Sequence, residues 1–434
     1  MTRPRMNIAL TSSTGTPLLR YCRWALAITV ACMPLYVIRF GLGPVPTTLL
    51  ETLIMLTIVL YVGAIVQSRS WSFQRTPVEI PTAIFLVAAA AGVLVSPNRV
   101  GALGIFRAYF LEPILVFYIA LDVVRTRRDL QLIAGAFLTG ATVFAILNLY
   151  AWASALLQHQ PIISSNAPEA LYTSPNSVAL FLEPAVALGG GIALFADSRR
   201  HRRLGLISLA FVMPSLALTL SRAGWLTLAI LILVAVITVA ARWMRVALLV
   251  GAAAGALLVS RLPIVATRLA YQLDLNSPKN TFEGRVQIWS DTLRMLQDHP
   301  IFGAGLRAYQ QTVAPYVHGG RRVELYPHDI WLAMWSEIGL LGLAAFIALV
   351  AILLWRGWRG FAAAQGFVRA ALWGTSAALV AIVVHGTFDT PYFKNDLSLE
   401  FWVVAALELA ALGIMAGRRN DQGIRSAALK GTEG

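Results

Sequence analysis

The sequence predicts an all-α polytopic membrane protein of about twelve transmembrane helices with one large extracytoplasmic helical loop. Apolar runs long enough to cross a bilayer, which takes about 20 residues, recur from Cys22 to Met415. The chain is 58% apolar and only 13% charged, against roughly a quarter charged in soluble domains. Alternating segments of roughly ten residues, the mark of a membrane β-barrel, do not occur.

The first run, 22–40, follows a basic N-terminal tail (1–21). It is too long for a signal-peptide core and lacks a small-residue cleavage site, so it reads as a retained helix. Cys22 and Cys32 both fall on that helix and cannot pair with one another, so no disulfide or zinc site is implied. Spans follow at 47–66, 80–96, 103–121, 130–157 and 175–196. The last opens TSPN, and proline suits a first helical turn. Its glycines at 189–191, and the GxxxG of Gly251 and Gly255, read as close helix packing. Runs at 204–220, 223–241 and 246–262 complete helices one to nine (22–262). The polar segment 263–329 is the large loop, 330–355, 368–388 and 397–416 are helices ten to twelve (330–416), and 417–434 is a tail.

An even count puts both termini on one side. Loops on that side hold arginine clusters such as Arg125, Arg127 and Arg128, or Arg199, Arg200, Arg202 and Arg203. The short loops opposite hold only Arg39, Arg99, Arg107, Arg222 and Lys394. The positive-inside rule then makes both tails cytoplasmic and the large loop periplasmic, in a bacterial inner membrane. The net charge of +14 is thereby a topology signal and implies no nucleic-acid partner. Arg107, Glu112, Glu183, Glu337, Glu400 and Glu408 fall inside spans, where ionisable groups are costly and face the bundle interior. Glu112, Glu183 and Glu408 read as buried pairs fixing helix register.

Three stretches carry candidate chemistry. In LTLSRAGWL, Ser221 is a natural N-cap, which leaves Arg222 at a helix N-terminus where unpaired amides favour an anion. Its guanidinium adds a fork matched to phosphate oxygens, although an interfacial arginine also snorkels to headgroups. In the loop, Asn280 and Glu283 resemble a capping box. Val286, Trp289, Leu293 and Leu296 then make one apolar face of a helix lying along the membrane surface, with Arg285 in its first turns. Gly303 and Gly305 suit either an anion nest or a plain turn. Third, His328 sits in Pro327-His328-Asp329 at the mouth of the tenth helix. Its reference pKa of about 6.5 suits a base. Glu337, nine residues on, points the opposite way at about 100° per residue and reads as structural. His385, with Asp389 four residues later, competes for the same role. Arg307, Arg321 and Arg322 either extend a donor or acceptor site or are simply solvated.

The outer face of a membrane has no ATP, so a transferase there needs a donor activated before it crosses. A sugar on a polyprenyl pyrophosphate is one. Its leaving group departs as a stable anion, so the reaction asks for charge stabilisation and a base for the acceptor hydroxyl. A glycosidase would need two facing carboxylates about 5 to 10 Å apart, whereas Asp274, Glu283, Asp291, Asp298 and Glu324 are scattered. No DxD, HExxH or GxSxG occurs, and no metal or cofactor is expected.

SRAGW, EGRVQIWSDTLRMLQDHPIFGAG and PHDIWLAMWSEIGLLG resemble the O-antigen ligase and O-antigen polymerase superfamily. The resemblance covers 221–342, with the other helices similar by topology only, and AYFLEP at 108–113 is similar to ligase-type members. It implies an inverting, metal-independent glycosyltransferase with an undecaprenyl-pyrophosphate-linked glycan as donor. The family's loop histidine, the base, falls on His328, and its pyrophosphate-holding arginines fall on Arg222 and Arg285. Asp329 stands where the family often has asparagine. An O-antigen ligase, with lipid A-core as acceptor and membrane lipids around it, is the favoured reading. A repeat-unit polymerase is the alternative. A lipid-linked glycan transporter is the reading from another class, but no matching halves are visible.

Overall fold

A computed structural model describes residues 17–43, 45–69, 75–160, 162, 167–263, 265–267 and 281–430, without the side chains at 42, 45, 281 and 418–430. Asn280, and with it the expected capping box, lies outside the described residues. Among them the chain is helical: α1 Pro17–Ala31, α2 Leu49–Ser68, α3 Glu79–Val95, α4 Arg99–Val123, α5 Arg127–Leu157, α6 Pro175–Phe195 and α7 Arg199–Leu218. Then come α8 Arg222–Thr238, α9 Arg242–Ser260, α10 Thr281–Asp298, α11 Tyr309–Val313, α12 Ile330–Ala363, α13 Gly366–Gly386 and α14 Asn395–Lys430. A helix forms at each of the twelve expected spans, and the protein is an all-α polytopic membrane protein. Among the described residues, eight helices are long and apolar enough to cross a bilayer, and α3 and α8 are apolar but shorter. The other two are α1, with 15 residues, and α7, whose first turns hold four arginines.

The first run is not one helix. α1 stops at Ala31, and a 3-10 turn, Met33–Val37, follows. Pro34 is the cause: it cannot donate to the ladder, and its ring clashes with the carbonyl one turn back. The chain then folds into a hairpin that apolar length alone could not reveal, β1 Arg39–Leu42 against β2 Val45–Thr48, with Arg39 opposite Thr48. α4 runs through a π-helical turn, Phe106–Leu111. α14 continues beyond its expected end at 416.

α6 and α13 are the centre of the bundle, each 78% buried along its span. Small residues permit that contact. A Cβ at Gly191 would stand 2.5 Å from the Ala370 carbonyl oxygen, and one at Gly374 would stand 2.8 Å from Leu188 Cα. Gly251 and Gly255 behave differently: nothing lies within 4 Å of a Cβ at either. α9 is at the edge, with none of its span buried, so its GxxxG is not a helix seam in this fold. Glu112 and Glu408 do find partners. Arg107 lies 2.6 Å from Glu51 and 3.3 Å from Glu112. Glu408 accepts instead from the hydroxyls of Ser376 (3.0 Å) and Thr375 (3.2 Å).

One break fixes the end of the bundle against which α10 packs. Gly339 interrupts α12 at φ 74°, ψ 178°, a conformation costly for any residue with a Cβ. A Cβ there would also meet the Ile301 oxygen at 2.5 Å. The opened turn receives the segment that follows α10. Leu340 N donates to Ile301 O (2.9 Å), while Ala304 N and Gly305 N donate to Ser336 O (2.7 and 3.2 Å). Arg307 N donates to Glu337 Oε2 at 2.6 Å, and Leu306 N reaches Gly92 O of α3 at 3.0 Å. Glu337 is thus a structural clamp. The amides of Gly303 and Gly305 are already satisfied inside the protein, so the turn reading holds and the anion nest does not. α10 and the start of α12 are thereby held in fixed relation.

Candidate active site

His328 stands one residue before the N-cap of α12. Asp329 Oδ1 accepts from Leu332 N at 2.8 Å and caps the helix, which leaves His328 at φ 51°. A left-handed histidine is uncommon and is found where surrounding contacts over-determine it. Here the contact is Asp389, in the link 387–394 between α13 and α14, whose Oδ1 lies 3.1 Å from His328 Nδ1. Asp389 is itself held, with Oδ2 accepting from Asn176 Nδ2 (3.0 Å) and Oδ1 from Thr390 N (2.9 Å). A carboxylate opposite Nδ1 assigns the proton to that nitrogen and leaves Nε2 the basic one. The imidazole side chain is 35% exposed, the carboxylate 11%. The histidine can therefore meet a substrate while the aspartate stays behind it.

Arg285, half-buried on α10, shares this site electrostatically with both groups. Burial pulls the His328 imidazole down, but the hydrogen bond and charge of Asp389 outweigh it, and the net shift is upward; Arg285 opposes. Burial works against the Asp389 anion too. The neighbouring His328, His385 and Arg285 nevertheless hold its carboxyl well below the usual range. Arg285 itself is lowered by burial, with Asp389 restoring part of the loss.

His385 and Asp389 are not a pair, although their i, i+4 spacing suggested one. α13 ends at Gly386, so the helical register that would align them stops between the two. His385 is fully buried, with Nδ1 2.6 Å from Glu183 Oε1. It cannot reach a substrate and drops out as a competing base. Arg222 is the first residue of α8, half-buried. Ser221 Oγ accepts from Gly224 N at 3.3 Å, as an N-cap should. Arg307 is exposed in a left-handed turn, its guanidinium against the first turn of α4 near Gly101. Arg321 is ion-paired with Asp291 at 2.6 Å and braces the loop. Arg322 is exposed beside it.

Sequence reading missed two members, Asn176 and Lys394. Lys394 Nζ donates to Ser177 Oγ next to Asn176, so the opening turn of α6 touches both ends of the 387–394 link. The polar TSPN start of an otherwise apolar helix was the available signal. Among the described residues, no group of three or more His, Cys, Asp or Glu is placed to hold a metal.

Residues 205–347 match the family model described as O-Antigen ligase. No curated protein matches the chain. The matched segment runs from α7 into α12 and contains Arg222, Arg285 and His328. Asp389, Asn176, Glu183 and His385 lie outside it.

Proposed function

We propose that this membrane enzyme is an O-antigen ligase: an inverting, metal-independent glycosyltransferase that moves a glycan from undecaprenyl pyrophosphate to a sugar hydroxyl of lipid A-core. The observation that carries the reading is the His328–Asp389 pair, 3.1 Å apart, beside the half-buried Arg285. The arginine distribution supports a site on the periplasmic face of the bacterial inner membrane. His328 Nε2 takes the proton of the acceptor hydroxyl as that oxygen bonds to the anomeric carbon. The bond from that carbon to the pyrophosphate oxygen breaks on the opposite face, and its electron pair leaves with undecaprenyl pyrophosphate. Arg285 and Arg222 stabilise the departing anion. Asp389 stabilises the imidazolium and holds its tautomer. The imidazolium then gives its proton to water. The guanidinium charges meet the electrostatic demand, and the leaving group needs no protonation.

The test is transfer by purified protein from lipid-linked glycan to lipid A-core in excess chelator. Transfer should continue, and dependence on an added metal would overturn the mechanism. In cells, loss of the chain should leave bare core with long lipid-linked polymer accumulating; cores capped with single repeats would instead identify a polymerase.

The raised His328 imidazole sets a pH expectation. The base works only when neutral, so kcat/KM should fall as pH drops through a value above the ordinary histidine pKa of about 6.5. Asp389→Asn removes the negative partner, so the acid limb should move to lower pH while the plateau drops. A limb that Asp389→Asn leaves in place would mean that His328 is not the titrating base.

A further inference from the structure

A second acid–imidazole pair lies behind the first. Glu183 on α6 and His385 on the last turn of α13 are 1% and 0% exposed, with 2.6 Å between Oε1 and Nδ1. His385 Nε2 is buried without a hydrogen-bond partner. No substrate touches groups so enclosed, so any part they take in transfer runs through their neighbours. Those neighbours belong to both halves of the site. On one side, Asp389 is within electrostatic reach of both members. On the other, the Thr227 hydroxyl of α8 contacts Glu183, and a Cβ at Gly224 would stand 3.5 Å from Glu183 Oε1. Gly224 supplies the amide that Ser221 caps, so this is the turn that begins with Arg222. Glu400 and Asp396 of α14 are the other acids facing this interior, with His328 and Arg285 beyond Asp389. A buried acid–base pair is often no more stabilising than an apolar pair of the same volume. Stability alone therefore gives no reason for this one.

We infer that Glu183 and His385 are a positioning pair for the transfer: they tie the α8 turn carrying Arg222 to the α13–α14 link carrying Asp389, and so fix the spacing between the pyrophosphate-holding arginine and the base. The roles of Arg222 and His328 in this inference rest on the ligase reading above. In full-length protein in detergent, Glu183→Ala and His385→Ala should each lower kcat per folded molecule by about 10- to 100-fold with donor KM within about threefold, because a misplacement near 1 Å costs that much. Glu183→Gln/His385→Asn keeps a hydrogen-bonded amide pair of similar shape and should stay within about fivefold of wild type, since geometry is what the pair supplies. Truncations that lose only yield and thermal stability, at unchanged kcat per folded molecule, would overturn the inference. So would an amide pair as impaired as the truncations.

A measurement independent of turnover accompanies these. The protein has six histidines, and in 15N-histidine-labelled protein the His328 Nδ1 resonance reports its hydrogen bond to Asp389. His385→Ala should move that resonance and the amide pair should not; an unmoved resonance in His385→Ala would overturn the tie. A wild type that transfers nothing would overturn the ligase reading, and the resonance would still test the tie.

Discussion

Alanine in place of His328 is expected to lower glycan transfer by about 10²- to 10⁴-fold, the usual contribution of a positioned general base. The loss should appear in kcat at saturating donor. Binding of a short polyprenyl pyrophosphate should survive, because Arg285 sits on α10 and Arg222 on α8, elements to which His328 does not belong. Folding should survive as well: α12 is capped by Asp329 rather than by His328, and alanine in place of a 35% exposed imidazole leaves no closed cavity. The strained backbone at φ 51° persists in the variant, and it costs little more for alanine than for histidine. Residual transfer above about a tenth of wild type would assign the base elsewhere. His385 is not the reserve, since it is enclosed against Glu183.

The fold was legible because membrane helices announce themselves by apolar length: a helix forms at each of the twelve expected runs, and among the described residues eight are long and apolar enough to cross a bilayer. What length could not convey was the interruption of a run by one proline, as at Pro34. Nor could it convey the use of a glycine to open a helix, as at Gly339. The second event is decided by which backbone groups find partners, and those partners come from a distant segment, with Ile301 O accepting from Leu340 N. The site divides the same way. Arg222, Arg285 and His328 each sit at a helix start with a polar signature that survives in one dimension. Asp389 does not: it is separated from His328 by 61 positions and two membrane helices, and its nearest histidine in sequence was the wrong partner. Glu183 read as a register-fixing acid, and no local pattern announced that its partner would be His385.

Removing Arg285 carries the second large effect, and its two components can be separated. A charge-assisted hydrogen bond to phosphate is worth about 1.5–3 kcal/mol, so Arg285→Ala should cost about 10- to 100-fold in transfer through the lost hold on pyrophosphate. It should also weaken binding of a pyrophosphate lipid. Arg285→Lys, which keeps the charge but loses the planar fork, should recover only part of this. The second component comes from the neighbours. Arg285 lowers the His328 imidazole, so its removal lets that group rise and leaves less neutral base near neutrality. The acid limb of kcat/KM should move to higher pH in Arg285→Ala, opposite in sign to Asp389→Asn. Well above that limb the base deficit vanishes and only the phosphate deficit remains, so the ratio to wild type should improve with pH and then level off below one. Arg222→Ala tests the other arginine. It should weaken pyrophosphate-lipid binding, as Arg285→Ala does. Unchanged binding of the pyrophosphate lipid in Arg222→Ala would remove this arginine from the hold on the leaving group.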